Sequence, residues 1–170
     1  GVYPKDVILS VVGKMKADGA IYKAIDFTGS YVESLNVAGR MVLCNMAVEM
    51  GAKTAYMQPN KDVLEYVSKR AVRPFEVMYS DPDFQYAESY VFDVSELEPQ
   101  LACPHSVDNV DSLSHILKKG EVLLNQGYIG SCTGGREEDI AIAAEILRGK
   151  HIPEYARLVV VPASSEVMLS

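Results

Sequence analysis

Gly127-Tyr128-Ile129-Gly130-Ser131-Cys132-Thr133-Gly134-Gly135-Arg136 is the stretch on which the fold turns. A strongly apolar run, residues 122–129, leads into it and reads as a strand. Residues 137–147 follow, with Ile140, Ala143, Ala144 and Leu147 at the spacing of one helix face. The motif is therefore a strand, a turn of small residues and a helix, with Cys132 at the tip of the turn. Small residues let backbone N–H groups crowd around a bound group, and a helix N-terminus favours negative charge. A thiolate, a sulfide-bridged cluster or an oxyanion all suit such a place, and these residues alone leave the choice open.

Working outward, the same alternation continues on both sides. Residues 158–161 read as a buried strand, and Ser164 starts another helix. Upstream, residues 4–18 read as a helix, because Val7, Ile8, Val11, Val12 and Met15 recur at helical spacing behind a first-turn Pro4. Strands are expected at 20–27 and 54–58, a helical turn at 31–35, and a nearly all-apolar helix at 37–50 closed by Gly51. Asn60 is expected to cap a helix at 61–71. Residues 73–87 read as a surface excursion, 89–97 as an alternating strand, 99–111 as a polar loop and 113–117 as a short helix. Helices interleaved with short apolar strands, without tight hairpin turns, predict an α/β protein. The expected form is a three-layer α/β/α arrangement on a largely parallel sheet. Composition shifts between 73 and 100, which places a first lobe at 1–88 and a second at 89–170.

The 170 residues carry a net charge of -7 and are 48% hydrophobic. That balance supports a buried core and gives no electrostatic help to a nucleic-acid partner. No apolar run reaches the roughly 18 residues of a membrane-spanning helix. Three widely spaced cysteines (Cys44, Cys103, Cys132) argue against a disulfide framework and for a reducing, cytoplasmic setting. The chain opens on Gly1 and stops at Ser170, just after a strand and the start of a helix, which reads as a piece of a longer protein.

Cys132 is the strongest chemical candidate, since a helix N-terminus makes thiolate available as nucleophile or ligand. As a nucleophile it needs a histidine base, and no spacing recommends His105, His115 or His151. As a metal ligand it needs partners, and the chain has no C-x-x-C. The glycines lack both the G-K-[ST] ending of a phosphate loop and a G-x-G-x-x-G spacing. In the apolar helix, Asn45 and Glu49 lie four residues apart and share a face. Glu49 either reaches water or pairs with Lys53, or else Asn45 and Glu49 line a site. Cys44 reads as core, and the role of Cys103 stays open.

Several strings together resemble the aconitase superfamily. Cys44-Asn45-Met46-Ala47-Val48-Glu49-Met50-Gly51-Ala52 is similar to its C-N-M-x-x-E-x-G-A helix, and Gly130-Ser131-Cys132-Thr133 to its G-S-C-T-N cluster loop. Pro104-His105-Ser106-Val107-Asp108-Asn109, together with Arg136, resembles the large subunits of 3-isopropylmalate dehydratase and homoaconitase more than aconitase proper. Pro4-Lys5-Asp6-Val7-Ile8-Leu9 matches a family helix, so the likeness spans the chain in order. The resemblance implies an iron–sulfur-domain-like fold and a [4Fe–4S] cluster held by three cysteines. One of its irons acts as Lewis acid in the dehydration and rehydration of a hydroxy-di- or tricarboxylic acid. It makes Cys132 a cluster ligand and Glu49 a catalytic group. It places Asn45, Ser131, Thr133, Arg136 and His105 in the cluster and substrate environment.

The same resemblance implies further domains and a separate small subunit as partners. Leucine biosynthesis is the first expectation for the pathway, with a homoaconitase- or aconitase-type hydratase as alternative. A non-catalytic binding module is the reading from a different class. Gly134 stands where the family has asparagine, which removes an amide from the loop. One cysteine cannot hold a cluster, so this polypeptide alone is expected to be apo and inactive.

Overall fold

The computed structural model describes residues 1–170, which divide into two compact units, Gly1–Leu113 and Ser114–Ser170. The compositional shift had put the lobe boundary at 88/89. The compact first unit runs further, because residues 100–112 pack back onto its first helix.

In the first unit, helix α1 (Pro4–Met15) starts with Pro4 in its first turn, and Asp6 accepts the Tyr3 backbone N–H at 2.7 Å. The other oxygen of Asp6 takes the Gln100 N–H at 2.8 Å, so the group that closes the helix start also docks a later strand. Strand β1 (Ala24–Asp26) pairs in parallel with β2 (Thr54–Tyr56). Between them run α2 (Ser30–Ser34) and α3 (Val37–Met46), the latter capped by Asn36, whose side chain accepts the Gly39 N–H at 2.8 Å. After β2, Asn60 caps α4 (Lys61–Ser68) through the Val63 N–H at 3.1 Å, in the role its sequence position gave it.

The core lies where α1 packs against α3. Ile8, Val12 and Met50 are fully buried there, joined by Leu9, Val42, Leu43, Met46 and Met57. Arg40 is buried with them. It has no carboxylate partner and donates to the carbonyls of Leu35 at 3.1 Å and Gln58 at 2.9 Å, tying the end of α2 to the end of β2.

Two expectations need correction here. Residues 89–97 form no strand. Their alternation is real, with Phe92 and Val94 half-buried and Val91 exposed, but no strand pairs with them. Asp93 takes the Ser95 N–H at 2.9 Å, a local bond that competes with an extended ladder. The supposed loop at 99–111 instead contains an antiparallel hairpin, β3 (Gln100–Ala102) with β4 (Val110–Ser112). This hairpin packs on α1, where a Cβ added at Gly13 would lie 2.8 Å from Val110 Cβ.

From α5 (Leu113–Leu117), whose first residue ends the first unit, the second unit runs on to β5 (Gln126–Gly130), α6 (Glu137–Leu147), β6 (Arg157–Val161) and α7 (Ser165–Leu169). Strands β5 and β6 are parallel, Gly130 opposite Val161, with α6 as their crossover. The face of α6 that is partly covered comprises Ile140, Ile142, Ala143 and Leu147, whereas Ala144 is exposed. Ser164 caps α7 through the Val167 N–H at 3.2 Å. Helices joined to two parallel strand pairs and one antiparallel pair make this an α/β protein. No helix is long and apolar enough to cross a membrane.

Candidate functional site

The loop between β5 and α6 is built by close backbone approach. A Cβ at Gly130 would meet the Val161 carbonyl oxygen at 2.4 Å, and one at Gly135 would meet the same oxygen at 2.7 Å and that of Ser131 at 2.8 Å. Only glycine lets the two ends of the loop sit this tightly on β6. The Ala163 N–H then locks Gly135 through its carbonyl at 2.7 Å. Ser131 is held at φ 71°, the left-handed region that a non-glycine residue rarely adopts. Its hydroxyl lies 3.2 Å from that of Thr133 and accepts the Thr133 N–H at 3.4 Å.

Cys132 follows Ser131 and is exposed. Its carbonyl oxygen accepts from Arg136 Nη2 at 3.4 Å, while Arg136 Nε is buried without a partner. The first turn of α6 holds Glu137, Glu138 and Asp139, and Asp139 takes the Arg136 backbone N–H at 3.1 Å. Thus the structure brings Ser131, Cys132, Thr133 and Arg136 together on one short loop.

Asn45 and Glu49 belong to the first unit. The α-helical path ends at Met46, and Ala47–Met50 tightens into a 3-10 turn that Gly51 closes at φ 81°. With three residues per turn, Glu49 is rotated from the α-helical overlay on Asn45 that the four-residue spacing implied. Asn45 is exposed and Glu49 half-buried. Glu49 has no ion pair or hydrogen bond. Lys53, its candidate partner, instead stacks over the Tyr22 ring at 4.3 Å. Cys44, one turn earlier, packs against the core, and burial pushes its thiol up.

His105 is exposed on the β3–β4 loop. Its neighbours frame that loop: Asn109 Nδ2 donates to Pro104 O at 2.8 Å, the Cys103 N–H to Asn109 O at 2.8 Å, and the Ser106 hydroxyl to Asp108. Asp108 also accepts the Ala17 N–H at 3.3 Å, which fastens the loop to the end of α1. These bonds hold the Asp108 carboxyl below its ordinary range, the Ser106 hydroxyl being the largest cause.

Sequence reasoning passed over Asp26. It ends β1, the carboxyl edge where ligands of parallel sheets collect. One of its oxygens accepts from Ser80 Oγ at 2.8 Å and from the Tyr86 hydroxyl, and the other is buried without a partner. The only local signal was an acidic residue between an apolar strand and the Thr28-Gly29-Ser30 turn.

No three His, Cys, Asp or Glu side chains gather as a metal-holding set. The donors present fit one corner of an iron–sulfur cluster, the exposed thiol of Cys132, and not a whole one.

The chain is 49% identical over 168 residues to the probable methanogen homoaconitase large subunit of Methanothermobacter thermautotrophicus, covering 99% of this chain and 39% of that protein. It is 48% identical over 167 residues to the 3-isopropylmalate dehydratase large subunit 1 of Methanopyrus kandleri, covering 98% and 39%. A probable methanogen homoaconitase large subunit of Methanosarcina mazei is 45% identical over 169 residues, covering 99% and 42%. The chain therefore spans about two fifths of the length of these relatives. The model of the aconitase family (aconitate hydratase) matches residues 1–123 and 116–170, and on that match the chain belongs to the aconitase family.

Proposed function

We propose that this chain is the cluster-loop portion of a [4Fe–4S]-dependent hydro-lyase that isomerises a hydroxy-di- or tricarboxylic acid by dehydration and rehydration. The observation that carries this reading is an exposed cysteine on a glycine-built loop at the carboxyl end of β5. It sits in a chain 42–49% identical to relatives named for such reactions. Cys132 would supply one of three thiolates, the other two coming from outside this chain. When bound, the cluster offers an open iron as Lewis acid for a hydroxyl and a carboxylate.

This chain's own groups would then orient the substrate and handle one proton. Glu49 has no competing cation, so its carboxyl is available to give a proton to the hydroxyl that leaves as water and to take one back on rehydration. Asn45, exposed in the last turn of α3, offers an amide donor and acceptor of its own. Ser131 and Thr133 fix the loop on which Cys132 rides. His105 is held ready on a framed loop as a further polar contact to substrate.

A large-subunit role in 3-isopropylmalate isomerisation, and so in leucine biosynthesis, is the first assignment. The names of the Methanothermobacter and Methanosarcina relatives favour a homoaconitase-type reaction as the second. Either one brings a separate small subunit, as the relatives' names imply, and the three free cysteines suit the cytoplasm. The net charge of -7 gives a nucleic-acid-binding role no support.

The test is to express the full-length protein carrying this chain with its small subunit, reconstitute iron and sulfide anaerobically, and assay isopropylmalate and homoaconitate interconversions. Cluster absorption with turnover of one substrate is expected. Cys132→Ser should remove the cluster, whereas Glu49→Gln should keep it and lower kcat at least 100-fold. Absence of both absorption and turnover in the unsubstituted protein sinks the proposal.

A further inference from the structure

We infer that residues 77–91 form a strap that lifts as one piece from the carboxyl ends of β1 and β2, with Asp26 as its latch. The strap uses none of the groups assigned to the cluster or its substrate. Asp26 and Tyr56 are the last residues of their strands and are partners in the parallel register. Both reach the strap. Tyr56 donates its hydroxyl to the Met78 carbonyl at 2.5 Å. Ser80 Oγ, at 2.8 Å, and the Tyr86 hydroxyl donate to one and the same Asp26 oxygen, Oδ2. Further along, Glu88 pairs with Lys23 at 2.8 Å, just ahead of β1.

These ties are polar. Residues 77–91 form neither helix nor strand, and the hydrophobic core takes no side chain between Met57 and Phe92. Shared apolar burial makes an element open only with its whole domain, whereas a segment held by polar ties opens locally at a small part of that cost.

The strap also has the internal bonds of a single piece. The Phe84 N–H donates to the Asp81 carbonyl at 3.1 Å, and Gln85 Nε2 to the Asp83 carbonyl at 3.1 Å. The Phe84 and Tyr86 rings meet edge to face with centroids 4.9 Å apart. Ser80 and Tyr86 thus stand at the two feet of one bonded loop and grip one carboxylate oxygen. Neither foot leaves without loosening the other, which makes Asp26 a latch rather than one bond among several. Lifting the strap bares a carboxylate and a phenol at the end of the sheet where parallel strands present their ligand groups.

Chymotrypsin is the probe, because Tyr79, Phe84 and Tyr86 are its cleavage residues and lie within the strap. This chain is digested under native conditions at increasing urea. Cuts at residues 79–86 are timed by mass spectrometry, beside global unfolding followed by circular dichroism. Cutting should depend on urea far less than unfolding does, the mark of a local opening. Asp26→Asn should raise the cutting rate about tenfold, and Ser80→Ala or Tyr86→Phe about fivefold each. In the Asp26→Asn background, Tyr86→Phe should add less than about twofold, because the charge it grips is already gone. Glu145→Gln, which removes an equal charge in the second unit, should leave the rate within about twofold.

Cutting that follows the urea dependence of global unfolding overturns the strap as a separate piece. A change within twofold for Asp26→Asn, or an equal rise in Glu145→Gln, overturns the latch. So does a further rise above twofold when Tyr86→Phe is added to Asp26→Asn. Should Asp26→Asn fail to fold, Ser80→Ala and Tyr86→Phe decide. Each must then raise cutting more than twofold, and the pair must stay within twofold of the larger single effect.

Discussion

The two units spend their residues differently. The first buries a continuous set of side chains, Ile8, Val12 and Met50 almost completely, between two helices. In the second, only Gly130 and Gly135 are buried, and Tyr128, Val160, Val161 and Met168 are exposed. Both contain a parallel strand pair with helical crossover, so the difference does not lie in local structure. In the first unit the side chains carry the packing. In the second, the backbone does: glycines bring β5, β6 and the loop to hydrogen-bonding distance, which positions Ser131, Cys132 and Arg136 without a core beneath them.

This contrast can be broken by substitution. Ile8→Ala should cost about 2–5 kcal/mol in urea unfolding of this chain, whereas Leu158→Ala, half-buried on β6, should cost about 1 kcal/mol or less. Equal costs would mean the second unit hides a core of its own. Gly135→Ala tests the backbone half of the contrast. Its new Cβ faces two carbonyl oxygens that cannot swing away, so we expect about 1–3 kcal/mol of destabilisation and lower iron loading. Retention of full loading would show that the loop tolerates a looser fit.

A smaller effect sharpens the first unit: Asn60→Ala should cost about 1 kcal/mol by removing the cap of α4, read as a drop in unfolding midpoint.

The smallest effect is a pH dependence. Lys23 and Tyr90 both donate to Glu88 at 2.8 Å and hold its carboxyl below the ordinary range, the Lys23 bond being the larger cause. A depressed carboxyl contributes above its unfolded value, about 4.3, and its contribution is lost as pH falls through the lower folded value. Amide protection around residue 88, taken relative to the intrinsic exchange rate at each pH, should therefore fall only in acid, and Glu88→Gln should flatten that response.

Much of this was legible in the sequence because the signals were local. Asn60 and Ser164 cap where a side-chain oxygen precedes a helix, the α1 spacing names its own core face, and the small residues at 130–135 announce a tight turn before a helix. What escaped depended on partners distant in sequence. Residues 89–97 alternate as a strand does, yet alternation does not supply a neighbour. The β3–β4 hairpin is joined by seven residues, too many for a two-residue turn signature, and its register comes from packing on α1. The 3-10 turn under Glu49 reflects how α3 ends against Gly51, which spacing alone does not encode. Asp26 acquires its donors from residues 54 and 60 positions away.

Ser131 has a consequence for which replacements the loop accepts. At most surface serines, threonine is the gentle exchange and glycine the disruptive one. At φ 71° the order inverts. Glycine relaxes the backbone and loses only the hydroxyl that steadies Thr133, asparagine and aspartate tolerate the same dihedral, and valine, isoleucine and threonine fit worst. A saturation library at this position should therefore rank its survivors by backbone handedness first and by polarity second.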